Sequence, residues 1–280
     1  MFGTTSPVGF TLTNNFAANF DVAGLTFNSG APAYTITGGS ITLTGGITNN
    51  STAVQTFSSA IATTVVRTVT TTAGGGNVLL GGVISGTGGG LTVAGAGTLT
   101  LTAINTYTGA TTINAGSTLQ LGNASANNLN LVAATGITNN GNLIFAPGTT
   151  GQTYGNAITQ SGTGTLTLSG TTASSPASIT LSGTTNNIGG SIVLNQGRLI
   201  ITALTNLGNA TTPITINGSG TNGGQFWANA ALAIANPITF NGSAGPLETA
   251  GNLGCVLKLQ TVDYQQFSTR IPAYETLQFL

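Results

Sequence analysis

The chain has 280 residues, of which 3% are charged and 40% apolar, with 43 Gly, 53 Thr, four basic and four acidic side chains, and no His. Ordinary soluble domains carry about 25% charge, and disordered chains combine high charge with low hydrophobicity, so this composition predicts one large repetitive domain with a buried core. Too few cations are present for a phosphate-binding surface, and without His neither a Ser-His-Asp or Cys-His site nor a His-containing zinc site can be built.

In chain order, short alternating segments recur: LTF 25–27, YTI 34–36, ITL 41–43, TLTLT 98–102, TTI 111–113, TLQL 118–121, LNL 129–131, TLTL 165–168, ITL 179–181, ITI 214–216 and ITF 238–240. Alternation puts the apolar set on one face of a strand and the Thr hydroxyls on the other. Clusters such as GGITNNST, AGGGN, GTGGG, NNGN and GTTNNIGG lie between them and read as turns, because Gly and Asn tolerate positive φ. Leu79, Leu99, Leu119, Leu143 and Leu166 head comparable strands at near-regular intervals along the chain. That period predicts an all-β fold, a right-handed parallel β-helix (β-solenoid) with coils of about 18–24 residues and roughly a dozen turns. Inward ladders of Leu, Ile, Val and Phe, and hydrogen-bonded Asn ladders at the corners, follow from it. Sandwiches and open barrels share the strand signature and stay open as alternatives. A calcium-binding roll is excluded, since Asp21 is the one Asp between Phe2 and Leu247.

The segment GAGTLTLTAINTYTGATTINAGSTLQLGN, residues 95–123, carries Gly95, Gly97, Thr98, Leu99, Thr100 and Leu101, then Asn105, Thr106, Tyr107, Thr108 and Gly109, then Gly116 and Leu119. It closely resembles the autotransporter-associated β-strand repeat, also called the passenger-associated transport repeat. A diverged copy begins at GTGTLTLSG, 162–170, and resumes as NNIGGSIVLNQGRLII, 186–201. The interval from Gly109 to Gly116 is the same as that from Gly190 to Gly197. The resemblance implies a right-handed β-helix that is exported and displayed on, or secreted from, a Gram-negative cell. Cell-surface glycans or other cells are the expected partners, and no cofactor is expected. The resemblance also implies an outer-membrane translocator barrel. The sequence shows neither that barrel nor a signal peptide, and an excerpt of a longer protein is the expectation. No apolar run is long enough for a membrane-spanning helix.

Residues 1–247 are expected to form the solenoid and 248–280 an atypical C-terminal cap or the start of a following segment, because Glu248, Lys258, Asp263, Arg270 and Glu275 gather there. Uncapped ends would permit end-to-end self-association. Cys255 is expected as a buried free thiol. The sequons at Asn50, Asn123, Asn209, Asn217 and Asn241 read as turn residues. The Gly-rich stretches at 73–77 and 86–90 lack a following Lys-Ser/Thr and do not read as phosphate loops.

No catalytic, cofactor-binding or metal-ligating residues are predicted: Asp21, Arg67 and Arg198 are the charges of the repeat body, and they lie on different coils. Aromatic rings can stack on sugars, which makes Trp227, after GGQF at an expected corner, and Tyr107 the candidate sugar-stacking residues among Tyr34, Tyr107, Tyr154, Phe226 and Trp227. The Thr-x-Thr arrays at 98–102 and 165–168 lapse between copies, so no continuous hydroxyl lattice of the kind that binds ice is expected. The composite expectation is a non-enzymatic surface or secreted structural, adhesin-type β-helix. A carbohydrate-binding module on the same fold is the alternative, and a polysaccharide-degrading β-helix enzyme a distant third.

Overall fold

In the computed structural model, residues 9–74, 76–125, 136–148, 151–170, 177–217, 223–228 and 232–241 are described, together with the short strand Val256–Leu257. The expected LNL strand at 129–131, Cys255 and the predicted cap of 248–280 lie outside those residues, apart from that strand. The chain is a parallel β-solenoid in which each coil passes through up to three sheets and returns to stack on the one before. One 3-10 turn, Leu204–Asn206, is the sole helical element among the described residues.

The long face stacks Phe10–Asn14, Tyr34–Gly38, Gln55–Phe57, Val78–Leu80, Thr98–Leu101, Thr118–Leu121, Asn142–Phe145, Thr165–Ser169, the first part of Ser191–Ile201, Ile214–Asn217 and Ile238–Asn241. The second face stacks Leu25–Phe27, Ile47–Asn49, Val66–Thr71, Gly90–Gly95, Thr111–Ile113, Ile137–Asn139, Ile158–Gln160 and Asn187–Ile188. The third is split. Its lower part is Phe20–Val22, Ile41–Leu43, Ile61–Ala62 and Ile84–Ser85, and its upper part is Gln152–Tyr154, Ser178–Leu181, the end of Ser191–Ile201 and Gly224–Ala228.

Coil length varies while register holds. On the long face Thr98 pairs Thr118 across one of the shortest coils, and Thr165 pairs Ser191 across a longer one. On the second face Thr159 pairs Asn187, which is a longer step again. These longer coils exceed the expected size of about 18–24 residues because extra chain enters at corners, while the strands keep their pairing. Longer corners cost little, since loop-closure entropy grows only with the logarithm of length.

Alternation explains the core. On the long face Val78, Leu99, Leu119, Leu143, Leu166, Ile192, Ile214 and Ile238 form one inward row, and Leu80, Leu101, Leu121, Phe145, Leu168, Leu194 and Ile216 the other, all buried. Here the expected leucine row is corrected by one residue: Leu99 pairs Val78, and Leu79 faces outward beside Thr100. In Val-Leu-Leu every position is apolar, so alternation leaves the phase open, and a one-residue slip exchanges the two faces.

Four expected turns prove to contain strand residues. Gly90 of GTGGG opens Gly90–Gly95, GTTNNIGG holds Asn187–Ile188, Ile47–Asn49 lies within GGITNNST, and Asn139 of NNGN ends Ile137–Asn139. The side chains of Asn49 and Asn139 turn inward at the corner leading to the long face, where Asn49 Nδ2 donates to Ala53 O at 2.9 Å and Asn77 O at 3.1 Å. The amide thus substitutes for strand hydrogen bonds that the corner interrupts. An outer Asn ladder is also present: Asn217 Nδ2 donates to Asn195 Oδ1 at 2.7 Å, and Asn241 Nδ2 to Asn217 Oδ1 at 2.9 Å.

Candidate functional site

The repeat segment around 95–123 is stapled to the coil beneath it. Asn105, 1% exposed, accepts a hydrogen bond from Ile84 N at 2.8 Å and donates to Ala103 O at 3.1 Å. Thr106 N donates to Ile84 O, Thr108 N to Gly86 O and Gly109 N to Gly89 O, while Thr108 Oγ1 accepts from Gly88 N. Asn-Thr-Tyr-Thr-Gly therefore serves as a surrogate strand where the third face holds only a bridge.

Tyr107 enters the coil instead of covering it. It is 1% exposed, and its hydroxyl shares a 2.8 Å hydrogen bond with Thr111 Oγ1. Neither ring face is open to a sugar, so the stacking role considered for Tyr107 is corrected to a core role. The alternating strand before it and the short tether to Thr111 leave the ring no route outward. Tyr154 and Phe226 are buried too, at 2% and 4%, and Tyr34 is half-buried.

Burial pushes the Tyr107 hydroxyl up to about 12 against the Thr111 hydrogen bond, and that of Tyr154 higher still, first through burial and then through the nearby Tyr107 charge. Both pKa values lie above the ordinary tyrosine value of 10, so the folded state holds these protons more tightly than the unfolded chain. Their contribution to stability is complete below pH 10 and is lost as pH rises through the folded values. The expected slope is about 1.4 kcal/mol per pH unit for each tyrosine. Absorbance at 295 nm during alkaline titration should show two of the five tyrosines ionising only as the β-sheet circular dichroism disappears; ionisation of all five before that loss would contradict the burial argument.

Trp227 sits in the middle of Gly224–Ala228, not at a corner, and is half-buried on the outer side of the upper third face. The Arg198 guanidinium of the preceding coil lies 3.4 Å from the centroid of its ring, and Arg198 Nε donates to Gln225 Oε1 at 3.0 Å. Strand register creates this cluster, with Arg198 beside Gln225 and Ile200 beside Trp227. The indole N–H is buried without an acceptor among the described residues. A cation held over the ring contributes about 0.5–2 kcal/mol and occupies a face that a sugar would use.

The remaining charges among the described residues are dispersed: Asp21 lies on the lower third face and Arg67 on the second, where its Nε donates to Thr63 Oγ1 at 3.2 Å. Among the described residues no three acidic or Cys side chains gather where they could hold a metal ion. No helix among them is long and apolar enough to cross a membrane.

The glycines of the two repeat copies have matching duties. A Cβ on Gly109 would lie 2.4 Å from Gly89 O, and one on Gly190 1.9 Å from Gly164 O, so both press against the coil below. Gly116 and Gly197 turn with φ of +76° and +92°. Asn186 Oδ1 accepts from Ile158 N at 3.0 Å in the second copy, as Asn105 does from Ile84 N in the first.

A rod built from such stapled coils falls in the class of β-solenoid repeat proteins. More particularly, the passenger-associated-transport-repeat family model matches residues 91–121 and 158–175, so these two stretches are similar to the repeat of autotransporter passengers. Comparison with curated proteins gives no match, and neither does comparison with solved structures.

Proposed function

We propose that this chain is a non-enzymatic module of an exported passenger: a rod displayed on, or secreted from, a Gram-negative cell, which extends and presents surface for adhesion. The observation that carries this reading is the coincidence of the matched repeat with the inter-coil staple, since residues 91–121 hold the surrogate strand at Asn105–Gly109. Cell-surface glycans or other cells are the partners that such a rod would meet. The wide dispersal of Asp21, Arg67 and Arg198 supports a structural role over a catalytic one, because hydrolysis or lysis of a polysaccharide needs converging charged groups.

Protease shaving and immunogold labelling of intact producing cells, with an antibody against residues 90–125, tests the display. An external epitope that protease removes is the expected result. An epitope that stays protected until the cells are broken would overturn the reading.

A further inference from the structure

We infer that the second face is an ice-binding surface, a hydroxyl and methyl lattice that orders water as the surface of ice does. Register brings Thr68, Thr92, Thr112, Thr138 and Thr159 into one outward row on five successive strands. Thr26, Thr48 and Thr70 form a neighbouring outward row that continues it to the first coil. Seven successive strands, from Leu25–Phe27 to Ile158–Gln160, thus each present an outward Thr. At about 4.8 Å per strand the array is roughly 29 Å long. The sequence conceals this lattice because its threonines sit in dissimilar contexts, such as RTV, LTV, TTI and ITN, and the conspicuous TLTL arrays belong to the long face instead.

Three properties favour frozen water as the occupant. First, none of these eight hydroxyls has a partner among the described residues. Each hydroxyl of the second face is therefore free both to donate and to accept, as water in ice requires of a neighbour. Second, the outward positions of these strands carry no charge and no aromatic ring, which suits an uncharged lattice and gives a sugar ring nothing to stack on. Arg67, near the corner where its strand begins, is tied to Thr63. Third, β-branching restricts χ1, and the stacked backbone fixes the spacing, so little freedom is lost when the face meets a rigid lattice. Repetition strengthens binding only to a ligand that itself repeats, and a crystal surface does.

The inference depends on the register of one face and is independent of where the chain is displayed. Its test is partition of the fluorescently labelled chain into a slowly growing ice hemisphere, with thermal hysteresis measured in parallel. Wild type should enter the ice at least about 10-fold more than albumin, and Thr112→Lys/Thr138→Lys should fall to the albumin level. Thr167→Lys/Thr215→Lys on the long face should keep the wild-type value, and circular dichroism should show each variant folded. If the double variant of the second face disturbs the sheet, Thr138→Lys alone, at an exposed position, carries the comparison. Exclusion of wild type from ice overturns the inference, as does equal loss in the variants of both faces.

Discussion

Replacing Asn139 by alanine is expected to destabilise the middle of the solenoid by about 3–5 kcal/mol, more than most exposed substitutions together. Its side chain is fully buried in the row that holds Val93 and Ile113 on earlier coils. Nδ2 donates to Gln160 Oε1 and to Thr165 O, both at 3.0 Å, and Oδ1 accepts from Gly141 N at 3.1 Å. Gln160 continues the chain of bonds, donating to Gly164 O at 2.9 Å and Ser191 O at 3.1 Å. Truncation leaves the Gln160 amide oxygen and the Gly141 N–H without these buried partners, each costing about 1–3 kcal/mol. Asn139→Leu/Gln160→Leu should not recover the loss, because most partners of the pair are backbone groups that no side-chain swap removes. Native-state hydrogen exchange is the measurement of choice, since a long repeat array need not unfold in two states. Protection should fall first in Asn142–Phe145 and Thr165–Ser169, and unchanged protection there would refute the bracing role.

The second large effect concerns glycine. Gly95→Ala should cost about 3 kcal/mol or more, and Gly116→Ala only about 1 kcal/mol, although both residues turn with positive φ in one repeat copy. At Gly95, φ is +84°, and a Cβ would stand 1.9 Å from Thr71 O on the coil below. Relief requires the two coils to separate. At Gly116, φ is +76° and nothing lies within 4 Å of the added carbon, leaving only the backbone preference. Denaturant midpoints of the two variants, compared with wild type, read the difference. Equal losses would mean that conformation, and not the close approach of coils, sets the need for glycine.

Where strands alternate cleanly, the sequence specifies them to the residue: Leu25–Phe27, Ile41–Leu43, Thr111–Ile113 and Thr118–Leu121 lie where alternation puts them. The period of the leucines reveals stacking, but their phase at Val78–Leu80 depends on which face is covered. Ile47–Asn49 and Ile158–Gln160 are hidden because a strand ending in an amide looks like a turn until the backbone groups it satisfies are known. Arg198 and Trp227 meet only through the register of neighbouring coils, far apart along the chain, and the same is true of the threonine rows. Tyr107 illustrates the converse: a residue singled out for its chemistry is enclosed because its neighbours make the corner.

Almost every sheet partner of a strand lies on the coil just before or just after it. A growing end therefore needs only the newest two coils to become ordered, and what has already formed is the template for what comes next. Closure of such short loops is entropically cheap and does not worsen as the rod lengthens. A chain of this kind can crystallise from one end, like a zipper closing, while its remainder is still threaded or confined elsewhere.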